Sequence, residues 1–253
     1  MSRAMILVAL LSSAAAAEEK VQKTVVLVHG AFADGSSWDK VIPLLQAKGL
    51  KVVAVQNPLT SLADDVAATK RALDAQTGPV ILVGHSWGGT VITEAGVHDK
   101  VAALVYVAAF APDAGESTND QGRGAPPPPG ASSLVADAAG FVSLTPDGVA
   151  RDFAQDVPVA ETKLMAVTQG PVKGAAFDEK VTNAAWKSKP SWYVVSANDR
   201  MIQPIVERST AAKINAATTV VPASHVSMLS RPKEVAAVIL SAAGSAGAVA
   251  VAR

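Results

Sequence analysis

The sequence predicts an α/β domain with a mainly parallel central sheet, helices on both faces and an inserted helical cap. Three observations predict it. From Thr24 onward, short β-branched runs alternate with longer amphipathic segments, the signature of successive βα units. Each run is nearly continuous in apolar residues, as a strand covered on both faces requires. A chain of 253 residues that is 49% hydrophobic is also long enough to bury one large core.

Strands are expected at Thr24–Val28, Lys51–Val55, Val80–Val83, Ala102–Val107, Trp192–Val195 and Thr218–Val221. Helices fit at Val41–Lys48, Leu62–Ala75, Thr90–Val97, Ile205–Ile214 and Lys233–Ala242, where apolar residues recur at three- and four-residue spacing. Ser61 supplies a start signal for the second helix, with Asp64 and Asp65 in its first turn where the helix dipole favours negative charge. Pro232 opens the last helix where its missing amide costs nothing. Two regions break the alternation. Ser117 to Ser133 is rich in Gly, Asn and Asp, contains Pro126 to Pro129, and reads as a mobile linker. From there to Lys189 the pattern is helical, including Val149–Val157 and Val159–Thr168, with no good strand. An inserted helical cap over about 117–189 follows, built into a single domain spanning 18–253. Gly244 to Arg253 has no core pattern and reads as a frayed tail.

Residues 1–17 are a different kind of text. Arg3 precedes the apolar run Met5 to Leu11, and small residues lead to Ala15-x-Ala17 before Glu18. That is the layout of a secretory signal peptide cleaved near Ala17, which implies a periplasmic or secreted protein. The alternative is an Ala-rich N-terminus on a cytoplasmic one. The apolar run is too short for a permanent membrane anchor. Twenty-two basic residues balance twenty-two acidic ones, so nothing favours nucleic acid, and a neutral or apolar small molecule suits the chain better. With no cysteine, a disulfide framework, a thiol nucleophile and a thiolate zinc site are excluded. No pattern specifies an oligomeric state.

Gly84-His85-Ser86-Trp87-Gly88 matches GxSxG between an expected strand and an expected helix. A serine on such a strand-to-helix turn is held in a strained conformation with its hydroxyl exposed at the sheet rim, and the flanking glycines remove side chains that would collide. Ser86 is therefore the candidate nucleophile, and His85 is assigned to packing. A serine hydroxyl needs a histidine to take its proton and a carboxylate to orient that histidine. His29 belongs to the loop after the first strand, and His98 lies beside Asp99 and Lys100 on a solvated helix end. His225 remains, on a loop at the carboxyl end of a strand. Asp199 follows the strand ending at Val195 and gives the chain order Ser, Asp, His; Asp113 is the rival acid. His29-Gly30-Ala31-Phe32 should face the turn across the sheet, so the amides of Ala31 and Trp87 are the candidate oxyanion donors. Phe32 and Trp87 would then line the acyl pocket.

Val25 to Ala31, Val80 to Gly89 and Ser224 to Pro232 together resemble bacterial α/β-hydrolases related to plant methyl esterases and hydroxynitrile lyases. The resemblance spans roughly Thr24 to Ala243, is densest in those blocks and around Asp199, and is thin in the cap. It implies the α/β-hydrolase fold, a lidded pocket, and no metal or cofactor. Cyanohydrin-cleaving members place a lysine directly after the catalytic histidine and a threonine directly after the first-loop histidine. Here those positions are Val226 and Gly30, so Val226 becomes a candidate substrate contact and ester cleavage is favoured over lyase chemistry. A carboxylic ester, or a related acyl substrate such as a lactone, is the expected small-molecule substrate. A slow-turnover binding protein on the same fold is the reading from another class.

Overall fold

The computed structural model describes residues 22–250, so the expected signal segment lies outside the described residues. The strands are β1 (Thr24–Val28), β2 (Lys51–Val55), β3 (Val80–His85), β4 (Val101–Val107), β5 (Leu134–Ala136), β6 (Phe141–Leu144), β7 (Val172–Lys173), β8 (Ser191–Ser196) and β9 (Ala217–Val221). The helices are α1 (Ile42–Gln46), α2 (Leu62–Asp74), α3 (Trp87–Ala95), the single turn α4 (Pro146–Gly148), α5 (Val159–Thr168), α6 (Pro204–Lys213), α7 (Ser227–Ser230) and α8 (Pro232–Ala250).

Six strands form the central sheet in the order β2-β1-β3-β4-β8-β9, every neighbouring pair parallel. The inner strands β1 and β3 are buried along their whole length, because helices cover both faces; the edge strand β9 is exposed at four of its five residues. The core is anchored by Trp38, Trp87, Tyr106 and Tyr193, all fully buried. Ser61 caps α2, its side-chain oxygen accepting from the Asp64 amide at 3.0 Å. Helix α8 runs past Gly244 to Ala250, where composition alone predicted a frayed tail; Ala242 and Ala243 are buried, so small residues there allow close packing.

The strand order positions the site. The chain steps from β1 outward to β2, then crosses to place β3 on the other side of β1. That reversal leaves a crevice at the carboxyl ends of β1 and β3, where open α/β sheets bind ligands. Register keeps the ends level: Val28 pairs with Gly84, His85 with Val107, and Ser196 with Val221.

The segment between β4 and β8 corrects one expectation. Only α5 matches the predicted helical spans, and Val149–Phe153 forms a short π-helical turn. The segment also carries a three-stranded antiparallel sheet, β5-β6-β7, where no strand was expected. With strands of three, four and two residues, no alternation is long enough to register as a pattern.

Candidate active site

Strand β3 delivers the chain into Ser86, whose backbone sits at φ 53° and ψ −120°. Such a conformation costs a non-glycine residue about 1–3 kcal/mol and persists only where the surroundings enforce it. Here the Ser86 amide donates to Val107 O at 3.2 Å, and its carbonyl accepts from the amides of Gly89 at 2.9 Å and Phe110 at 3.3 Å. A Cβ at Gly88 would lie 2.6 Å from the Val28 carbonyl oxygen, so only glycine lets α3 start this close to β1. A Cβ at Gly30 would lie 2.8 Å from the Ser86 Cβ, so the first loop presses directly on the turn.

His225 lies in the loop between β9 and α7, nearly inaccessible, with Nδ1 donating to Asp199 Oδ2 at 2.6 Å. An ionised carboxylate only accepts, so Nδ1 carries the hydrogen and Nε2 keeps its lone pair. The other oxygen of Asp199 accepts from the amides of Met201 at 2.6 Å and Ile202 at 2.9 Å. The loop of His225 is itself held: Ser224 N donates to Asp156 at 2.9 Å, and His85 Nε2 donates to the His225 carbonyl at 3.0 Å. His85, read as a packing residue, therefore also ties the Ser86 turn to the His225 loop. Burial, and then the neighbouring His225, push its pKa well below the usual histidine range, so it stays neutral. Asp113 pairs with Lys187 instead, and His98 with Asp74 at the surface.

In the first loop, His29 Nδ1 donates to Gly30 O at 2.8 Å and Nε2 accepts from the Asn57 amide at 2.9 Å. Burial lowers its pKa, in keeping with this neutral tautomer. The ring thus serves as a strut for the loop that carries Ala31. Trp87 is the first residue of α3, and its amide lies ahead of the helix's first intrahelical bond.

Ser86, His225, Ala31 and Phe32 share the wall of one cavity of about 460 Å³. Its other walls are apolar, including Phe110, Phe177, Leu134 and Val206, with polar side chains from Thr118, Asn119, Gln121 and Gln203. None of its lining residues is Asp, Glu, Lys or Arg.

Three expectations about the lining need correction. The Trp87 side chain is fully buried away from the cavity, donating through Nε1 to Asp65 at 2.7 Å and meeting Phe177 edge to face. Val226 is also fully buried, and it lines a smaller cavity of about 160 Å³ on the other side of Phe32. Pro126 to Pro128, read as part of a mobile linker, instead form wall of the main cavity.

Three buried carboxyls escaped the sequence reading, among them Asp152, which holds Arg200 Nε at 2.7 Å and Ser133 Oγ at 3.1 Å. Asp65 was taken for a dipole residue, yet it holds the Trp87 indole and the Leu59 amide, and burial pushes its pKa up to about 6. Glu207 on α6 is fully buried and accepts from the Ser196 amide at 2.9 Å. Its only sequence signal was a polar residue on the face of α6 toward the sheet. Among the described residues, no cluster of His, Cys, Asp or Glu is arranged to hold a metal ion.

Comparison with known proteins agrees with this architecture. The chain is 26% identical over 249 residues to a pyrethroid hydrolase of Sphingobium wenxiniae, a match covering 85% of each chain. Salicylic acid-binding protein 2 of Nicotiana tabacum is 38% identical over 109 residues, covering 37% of this chain and 42% of that protein. Among solved structures, a pyrethroid hydrolase superposes with a TM-score of 0.78 at 23% identity, covering 88% of this chain and 98% of the other. The model of the "Alpha/beta hydrolase family" matches residues 25–238, the whole span from β1 into α8 that builds the sheet, the serine turn and the histidine loop, and the chain therefore belongs to that family.

Proposed function

We propose that the protein is a serine hydrolase cleaving carboxylic esters of small apolar molecules through an acyl-enzyme, with Ser86, His225 and Asp199 as its triad. The observation that carries the reading is the buried His225–Asp199 pair at 2.6 Å, opening on the same cavity as a serine held at φ 53°. Ser86 Oγ attacks the ester carbonyl as its proton passes to His225 Nε2, and Asp199 stabilises the imidazolium. The amides of Ala31 and Trp87 take the oxyanion. Collapse of the tetrahedral adduct expels the alcohol, which collects the proton from His225, and water repeats the sequence to release the acid.

A cavity with no charged side chain favours uncharged esters, because a buried unpaired charge on the substrate would be strongly penalised. The segment over about 117–189 acts as the cap, and lactones of similar size are related substrates. Val226, buried and apolar, supplies no cation for cyanohydrin cleavage. Ser86→Ala tests the reading: hydrolysis of short p-nitrophenyl esters should fall by about 10³-fold or more with the melting temperature unchanged. Undiminished turnover would overturn it, and stoichiometric ligand binding without turnover in the parent would establish a binding protein instead.

The N-terminal layout supports export with cleavage near Ala17, which N-terminal sequencing of the mature protein tests. No helix among the described residues is long and apolar enough to cross a membrane.

A further inference from the structure

Behind the proposed triad lies a second carboxyl that the mechanism above does not use. Glu207 projects from α6 beneath the loop carrying Asp199, and the two carboxyl groups meet at hydrogen-bonding range. Glu207 is fully buried and Asp199 is 4% exposed, so water reaches neither in quantity. Two adjacent carboxylates cannot both stay ionised in such a place. The donors decide which one holds the charge. Asp199 accepts from His225 Nδ1 and from the amides of Met201 and Ile202. Glu207 accepts only from the Ser196 amide, and its Oε1 has no protein donor at all. A buried oxygen without a donor, on a carboxyl group that has Asp199 as its side-chain neighbour, is the position of a proton.

We propose that Glu207 is a neutral carboxylic acid at working pH, donating from Oε1 to Asp199, so that the acid of the triad is a two-carboxyl unit with one negative charge. This rests on the assignment of Asp199 above. Glu207 is a positioning residue: the bond occupies the remaining acceptor capacity of Asp199 and fixes its plane against the imidazole. The groups around Glu207 support this state. On β8, Tyr193 is also buried, and its hydroxyl is committed to the Ala109 carbonyl, so it gives Glu207 no proton. Arg208, next to Glu207 on α6, favours the charged form but is the weakest of the named influences. Burial first, and then the charge of Asp199, push the Glu207 carboxyl well above the usual range.

The sign for stability follows. An acid whose folded pKa lies above its unfolded one contributes stability that is fully present below the unfolded value and lost as pH rises through the folded one. Glu207→Gln is nearly isosteric and brings an N–H donor that does not titrate. Its melting temperature should match the parent's in acid and gain on it steadily as pH rises. Turnover should stay within about threefold of the parent, because the donor to Asp199 is kept. Glu207→Leu, which offers no donor, should lose roughly tenfold or more in kcat with KM little changed. Infrared spectroscopy at neutral pH gives the direct reading: the carbonyl band of a protonated carboxylic acid in the parent, missing from Glu207→Gln.

If that band is absent from the parent, or if Glu207→Gln is increasingly less stable than the parent as pH rises, Glu207 is ionised and the proposal is overturned. Both readings are independent of turnover. A failure of the triad would leave the band in place in an enzyme indifferent to Ser86→Ala, whereas a failure of this proposal would remove the band from an enzyme that still needs Ser86.

Discussion

The rim of the central sheet and the segment between β4 and β8 are built by opposite means. At the rim, backbone packs on backbone: Gly88 lies against the Val28 carbonyl, Gly30 against Ser86, and His85 and His29 are pinned by bonds to main-chain groups. In the β4–β8 segment, strands of two to four residues alternate with turns, β5 is exposed throughout, and α5 leaves Val159, Leu164 and Val167 largely in solvent. A rim of this kind fixes atoms to tenths of an ångström, as catalysis requires. A segment of the second kind supplies wall and shape, and tolerates change. Substitutions at the rim should therefore act on kcat, and those in the segment on KM and substrate choice.

The largest expected effect lies at the base of the rim. Asp199→Asn keeps the shape but removes the charge that stabilises an imidazolium at 225, and kcat should fall by roughly 10⁴-fold. A loss of less than tenfold, measured by steady-state kinetics on a p-nitrophenyl ester, would mean that the 2.6 Å contact is structural. Next comes Gly30→Ala. Its methyl would meet the Ser86 Cβ at 2.8 Å and the His85 carbonyl oxygen at 3.0 Å, neither of which has room to retreat. Displacing the loop of Ala31, the proposed oxyanion donor, should cost about 10²-fold in kcat with little change in KM.

The same contrast governs what could be read beforehand. The six central strands were legible because each is apolar throughout, and the serine turn because Gly84, Ser86 and Gly88 are forced together by local geometry. His225 was read from position and elimination and Asp199 from position and chain order, and the two side chains are in contact at 2.6 Å. Trp87 misled: an aromatic beside the nucleophile suggests a pocket wall, but the indole N–H finds Asp65, 22 residues earlier, and turns inward. Glu207 and Asp65 were illegible for the same reason, since their partners come from other elements and a helix pattern shows only that a position faces inward. The β5-β6-β7 sheet was illegible because its hydrogen bonds, not its side chains, define it. The cavity wall at Pro126 to Pro128 was hidden because prolines signal only what a segment cannot be.

In the β4–β8 segment the expected effects shrink. Leu134, on exposed β5, contributes one apolar wall to the main cavity. Leu134→Ala removes about 1–2 kcal/mol of apolar contact at most, so KM for longer acyl chains should rise by roughly three- to tenfold with kcat unchanged. An equal fall in kcat would show that this wall positions the ester, and the division between rim and segment would blur.

The smallest effect on turnover is expected where the two regions meet. Asp65 on α2 accepts from the Trp87 indole at 2.7 Å on the rim side and from the Leu59 amide at 2.8 Å, while the Leu59 carbonyl accepts from Lys173 of β7 at 2.8 Å. One carboxyl thus joins the start of α3 to the small sheet. Burial raises its pKa from 3.8 to about 6, against the opposing pull of those two donors. The folded value lies above the unfolded one, so the contribution of Asp65 to stability is complete below 3.8 and is lost as pH rises through about 6. Asp65→Asn cannot titrate. A shift of about two pH units is worth about 3 kcal/mol, so the parent's melting temperature should fall across that interval by roughly 6–12 °C more than the variant's, read by scanning calorimetry in matched buffers. Turnover should change little, because the Trp87 amide is fixed by α3 and the indole serves only to brace it. If kcat instead follows the titration of Asp65, the brace reaches the Trp87 amide proposed to bind the oxyanion, and rim and segment are one mechanical unit.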